Sequence, residues 1–193
     1  MNTIKKINNI LFHPHSFFSQ VEKEAGINKA FLYFLILTLF SYILSTIITS
    51  LWPKVYTFFL PIFTDNVPIK QIFLGSFIGF LISLPLSFVT GFFLYLWVSI
   101  FGGKKSYSEA YKLYVYSITP KLVFGWIPLV NILIWIYSLI LLIIGTQKIY
   151  KFSALKATLI YIIPLIIGII IFIAILILGI FALTYTSPEV NGF

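Results

Sequence analysis

Charged residues in this 193-residue chain fall into a few short clusters, and the stretches between them are long and apolar. Residues 30–52, 71–103, 122–147 and 157–188 carry no charge and are dominated by Ile, Leu, Phe and Val. Each exceeds the roughly 20 apolar residues that a helix needs to cross a bilayer. Four membrane helices follow from this pattern. A further segment, residues 106–125, is interrupted, because Lys112 and Lys121 leave only residues 113–120 uncharged between them. It reads either as a short span facing the bundle interior or as a re-entrant or surface segment.

The lysines decide between these readings. With five spans and a cytoplasmic N-terminus, Lys5, Lys6, Lys23, Lys29, Lys104, Lys105, Lys112, Lys148, Lys151 and Lys156 share one face, against Lys54, Lys70 and Lys121 on the other. Such a bias agrees with the positive-inside rule. With four spans, Lys148, Lys151 and Lys156 would face outward and the bias would largely collapse. The predicted fold is therefore all-α, a polytopic integral membrane bundle of five transmembrane helices. The spans are expected at about residues 30–52, 72–101, 106–125, 128–147 and 157–184, within a membrane domain covering 30–188. A short amphipathic cytoplasmic segment, 1–29, precedes them, and a short outer tail, 189–193, follows.

Local signals support the interrupted span. Gly102 and Gly103 break the preceding helix, and Ser106 with Glu109 forms an S-x-x-E capping box that would satisfy amides at a helix start. Thr119-Pro120 and the Gly125-Trp126-Ile127-Pro128 turn mark its end. Lys112 and Lys121 lie near its edges, where they are expected to snorkel toward water. Long uncharged runs around Pro85 and Pro164 are expected to tilt or kink. Residues 55–68, rich in aromatics and Pro, read as an outer loop lying on the membrane.

Composition removes other classes. With 60% hydrophobic and 9% charged residues and a mean hydropathy of +1.05, no soluble-domain reading survives. The net charge of +8 therefore points to anionic lipid headgroups rather than nucleic acid. Every basic residue is Lys, which excludes the bidentate guanidinium fork. The absence of Cys excludes disulfides and thiolate chemistry. The apolar run at residues 10–12 is too short for a signal peptide. The stretch 7–27 mixes Ile10, Leu11, Phe17, Phe18 and Val21 with polar residues, and predicts amphipathic turns lying on the cytoplasmic leaflet.

Candidate constellations are few. Gly75, Gly79, Ser83, Ser87 and Gly91 recur every fourth residue, a small-residue stripe that lets helices approach closely in lipid. Intramolecular packing is its first reading, with a homodimer face and a permeation path behind. Ser117, Thr119, Lys121 and Asn131 are expected to form a polar cluster at the outer end of the third and fourth spans. In the alternative, Asn131 only hydrogen-bonds carbonyls freed by Pro120. Glu109 is expected to make an interfacial ion pair beside Lys112, Gln147, Lys148 or Lys151. Tyr107, Tyr111 and Tyr114 share a helix face, with Tyr116 nearby, and read first as a headgroup belt, with a contact site as the alternative. His13-Pro14-His15 lacks a third metal ligand. No phosphate loop, intramembrane Asp or His, or serine with a base partner is present, so no enzyme, metal or cofactor is expected.

The residues Gly102-Gly103-Lys104-Lys105-Ser106-Tyr107-Ser108-Glu109-Ala110-Tyr111-Lys112 carry a family resemblance. It continues through Tyr116, Thr119-Pro120, Ile127-Pro128, Leu142, Gly145 and residues 153–157, and Pro14 with Phe17-Phe18 matches a P-x-x-F-F start. Together these resemble the Yip family of integral membrane proteins, over residues 13–188 and most densely from 102 to 164. The resemblance implies five spans and a cytoplasmic N-terminus. Eukaryotic members are associated with Golgi and endoplasmic reticulum trafficking and bind prenylated Rab-type GTPases and one another. This chain has no D-L-x-G-P segment and no long N-terminal region before its spans, so it resembles short prokaryotic members, and GTPase binding is not carried over. The expected function is a non-enzymatic scaffold or adaptor in a prokaryotic cell membrane. It would engage proteins, other copies or anionic lipids through a basic cytoplasmic face of Lys104, Lys105, Glu109, Lys112, Lys148, Lys151 and Lys156. The alternative is a small-solute or ion transporter or channel.

Overall fold

The computed structural model describes residues 2–52, 68–127 and 130–186, with side chains to Phe181. Lys54, Pro128, most of the expected outer loop and the tail 189–193 lie outside them. The described residues form eight helices and no strand: α1 (Thr3–Phe12), α2 (Pro14–Val21), α3 (Asn28–Leu51), α4 (Ile69–Ile100), α5 (Tyr107–Ser117), α6 (Thr119–Phe124), α7 (Asn131–Tyr150) and α8 (Ala154–Thr186).

Four of these, α3, α4, α7 and α8, are long and apolar enough to cross a membrane. At about 1.5 Å per residue, α4 with its 32 residues runs to roughly 48 Å, well beyond the hydrocarbon core. Both Pro85 and Pro164 lie inside continuous helices. The expected third span is not one helix. It breaks at Ile118, one residue before Thr119-Pro120, because proline cannot supply the amide that would continue α5 and is tolerated in the first turn of α6.

Helix α5 is the centre of the molecule. It packs against α3, α4, α6 and α7, while α8 packs against α7. Ala110, Tyr111, Leu113, Val115 and Tyr116 are fully buried. Of the tyrosines expected in a headgroup belt, Tyr111 and the nearby Tyr116 are core residues, while Tyr107 and Tyr114 are half-buried against that core. Tyr111 stacks on Phe88 and bonds Ser87, and Tyr116 meets Phe17 and Tyr33 edge-on. Polar-tipped rings can be buried in this way because each hydroxyl that is placed against a neighbouring helix finds a partner there.

The N-terminal segment is helical and joined to the bundle: α1 and α2 pack on each other and wedge against it, α2 on α7 and α1 on α6, while Ile4 and Phe12 stay exposed. Ile10, Phe18 and Val21 are buried in the shared core. Gly145 of α7 makes this possible: a Cβ there would fall 2.9 Å from Phe18 Cε1 and closer still to Leu113. The apolar face that seemed made for lipid is satisfied by protein.

Candidate functional site

The charged groups converge at one end of the bundle, where α2, the α4–α5 turn and the end of α7 meet. Gly102 adopts φ +84°, a left-handed conformation that glycine enters without steric penalty, and this reverses the chain after α4. Gly103 then lies so close to Val98 and Tyr150 that a Cβ would sit 2.7 and 2.8 Å from them. Lys151 ends α7 in a left-handed conformation at φ 55°.

Three lysines fasten the N-terminal hairpin here. Lys112, expected to snorkel, is instead buried at 1% exposure. Its ammonium donates to the carbonyls of Glu24 at 2.7 Å and Val21 at 3.4 Å, and stands 3.4 Å from Glu109 Oε1. The carbonyl end of α2 and the turn after it carry partial negative charge, which a buried cation complements and which favours the inward turn. Lys6 donates to Glu24 Oε1 at 2.8 Å and to the Tyr116 hydroxyl at 3.0 Å, while that hydroxyl donates to Glu24 Oε2 at 2.5 Å. The Lys6 ammonium also lies over the Tyr116 and Tyr33 rings, 4.8 and 5.6 Å from their centroids. Lys105 bonds Glu22 at the surface.

Burial pushes the Glu24 carboxyl up, but the hydrogen bonds from Lys6 and Tyr116 and the charges of Lys6 and Lys112 outweigh it, leaving it below its ordinary value. The hydrogen bond and charge of Lys105 lower Glu22. Ser106 is the N-cap of α5, yet its hydroxyl donates to the Glu109 carboxylate rather than accepting an amide, so the two residues of the expected capping box bond each other instead of capping the helix. All three carboxylates of the described residues are thus paired. Lys5, Lys23, Lys29, Lys104, Lys151 and Lys156 stay exposed and Lys148 is half-buried, so this end carries excess positive charge. Lys156 lies over the Phe152 ring at 4.1 Å.

The second feature is a cavity of about 1070 Å³ among α3, α4, α5, α6 and α7. Its walls include Phe34, Leu86, Phe93, Trp97, Trp135 and Leu139, with Thr38, Ser41, Ser83, Ser87, Thr90, Ser117 and Ser138 supplying hydroxyls and Lys121 the charge. The small-residue stripe divides between packing and cavity. Gly79 and Gly91 lie against Tyr42 and Tyr111, Ser83 and Ser87 face the cavity, and Gly75 has open space. Of the expected polar cluster, Ser117 and Lys121 meet at the cavity, whereas Thr119 is buried against the Tyr33 hydroxyl at 3.1 Å and Asn131 is exposed at the start of α7. The sequence reading missed the Lys6–Glu24–Tyr116 network. Its signal was Lys6 standing four residues before Ile10, on the apolar face of α1.

A helical membrane protein with a lysine-fastened hairpin and a hydroxyl-bearing cavity is the class these features define. Within it, the Yip1 domain family model matches residues 8–176, and the chain belongs to that family. Neither the curated proteins nor the solved structures compared with it give a match.

Proposed function

We propose that this protein is a non-enzymatic membrane scaffold of the Yip family whose lysine-rich end faces the cytoplasm and engages protein partners or anionic lipid. The carrying observation is the charge balance at that end: its described carboxylates are consumed by the hairpin clamps, while Lys23, Lys104 and Lys151 stay exposed. In this reading α5 and α6 form a fifth crossing, a broken helix shielded from lipid by α3, α4 and α7. That places the lysine-rich end inside, in keeping with the positive-inside rule. Self-association through the exposed apolar face of α8 belongs to the same reading.

The test is in-membrane crosslinking of the tagged full chain, with Lys104, Lys148 and Lys151 replaced together by Gln and Lys105 left in place to hold the hairpin. Loss of the recovered partner or anionic lipid is the expected result. An unchanged set of crosslinked species would defeat the scaffold reading. The cavity favours a second reading, passage of small solutes, which predicts protein-dependent flux in reconstituted vesicles.

A further inference from the structure

We infer that the cavity is a binding site for one anionic glycerophospholipid, its acyl chains among the aromatic and aliphatic walls and its phosphate at Lys121. The inference stands apart from the scaffold reading, since Lys121 takes no part in the basic end of the bundle.

Size and placement come first. At about 1070 Å³ the cavity is slightly larger than the roughly 300–1,000 Å³ usual for ligand sites. Helix α4 packs on α3 and α5, and α7 on α2, α5, α6 and α8. The lining residues Phe93 and Trp135 are each 65% exposed, so the cavity opens on the outer side of α4 and α7, where a chain can enter from the surrounding lipid.

The hydroxyls then specify a polar partner. Ser83, Ser87 and Thr90 donate to carbonyls of their own helix, Phe80, Leu84 and Leu86. Thr38, Ser117 and Ser138, on α3, α5 and α7, do not: each has a buried hydroxyl oxygen with no hydrogen-bond partner, and each lines the cavity. Thr38 and Ser117 are 2% and 1% exposed. Buried polar groups are normally partnered; these three oxygens are closed off from the cavity space, and a χ1 rotation would turn each toward a ligand there that brings acceptors. The ester carbonyls of a glycerophospholipid are such acceptors, carried beside apolar chains.

Charge selects the headgroup. Among the described residues Lys121 is the one charged side chain in the lining, and it has no ion-pair partner. With no carboxylate among the described residues of the walls, a phosphodiester bearing net negative charge fits and a zwitterionic headgroup fits less well.

The experiment uses the full chain in phosphatidylcholine vesicles carrying either phosphatidylglycerol or phosphatidylcholine with a photoactivatable acyl chain. Labelled residues are mapped by mass spectrometry. Labelling of Phe93, Trp135 and Leu139 is expected, with phosphatidylglycerol preferred by roughly tenfold, the worth of one charge-assisted hydrogen bond. Lys121→Gln should abolish the preference, whereas Lys70→Gln, outside the cavity, should preserve it. Thr38→Val with Ser117→Ala should weaken labelling by both lipids. Equal labelling by the two lipids, or labelling confined to the outward face of α8, overturns the proposal. So does a chain-to-chain crosslink through the lining, which would place a second copy there. Reaction of Ser138→Cys with a membrane-impermeant thiol reagent also overturns it, because the cavity would then be aqueous.

Discussion

Helices α5 and α8 invert the rule of soluble proteins. The α5 segment, YSEAYKLYVYS, is rich in hydroxyls and carries two charges, yet seven of its eleven residues are buried. Helix α8 is dominated by Ile, Leu and Phe, yet its described residues beyond Tyr161 are mostly exposed. In lipid the solvent is as apolar as leucine, so burying α8 would gain little, while the polar groups of α5 are costly to leave facing lipid and are turned inward. The contrast teaches that the core of this molecule is held by close packing and hydrogen bonds, and its exterior by solvent.

The contrast can be broken most forcefully by bulk. Gly145→Leu should force apart α7, Phe18 and Leu113 and destabilise the fold by about 3 kcal/mol or more, whereas Gly168→Leu on α8 meets open space and should be nearly neutral. Thermal unfolding in one detergent compares them directly. Equal effects would show that α5 is no more a core than α8.

Charge gives the next largest effect. Lys112→Met takes the ammonium away from the Glu24 carbonyl, while the Val21 carbonyl keeps the Glu24 amide, and should cost about 1.5–3 kcal/mol. It should also release the hairpin. The native chain has no Cys, so a spin label on Ser16→Cys reads that release as increased mobility.

Acid should act on the same clamp. Glu24 is held below its ordinary value, so its stabilisation is present in full above the carboxylate range and fades as pH falls through that range and the lower folded value. The Ser16 label should therefore loosen on acidification. In Lys6→Met the pH dependence should weaken; a profile that is flat in the native chain would remove Glu24 from the clamp.

The finest comparison lies within the stripe. A Cβ at Gly79 would stand 3.1 Å from Tyr42 Cε1, while at Gly75 nothing lies within 4 Å. Gly79→Ala should cost up to about 1 kcal/mol, and Gly75→Ala should be neutral or gain roughly 0.5 kcal/mol from helix propensity.

The four long helices were legible because a bilayer imposes one requirement, some 20 apolar residues in a row, and Lys29, Lys70, Lys148 and Lys156 bracket such runs plainly. The family was legible too, in the spacing from Gly102 to Gly145. Tertiary structure alone decided where the amphipathic pieces went. Periodicity shows that Phe17, Phe18 and Tyr111 share apolar faces but cannot tell lipid from protein as the thing they face, since both are apolar. Nor can it show that Lys6 and Lys112 turn inward: that depended on Glu24 and the end of α2 arriving from 88 or more positions away to receive Lys112. The cavity is of the same kind, for Thr38, Ser117 and Ser138 become a group only when three helices bring them around one space.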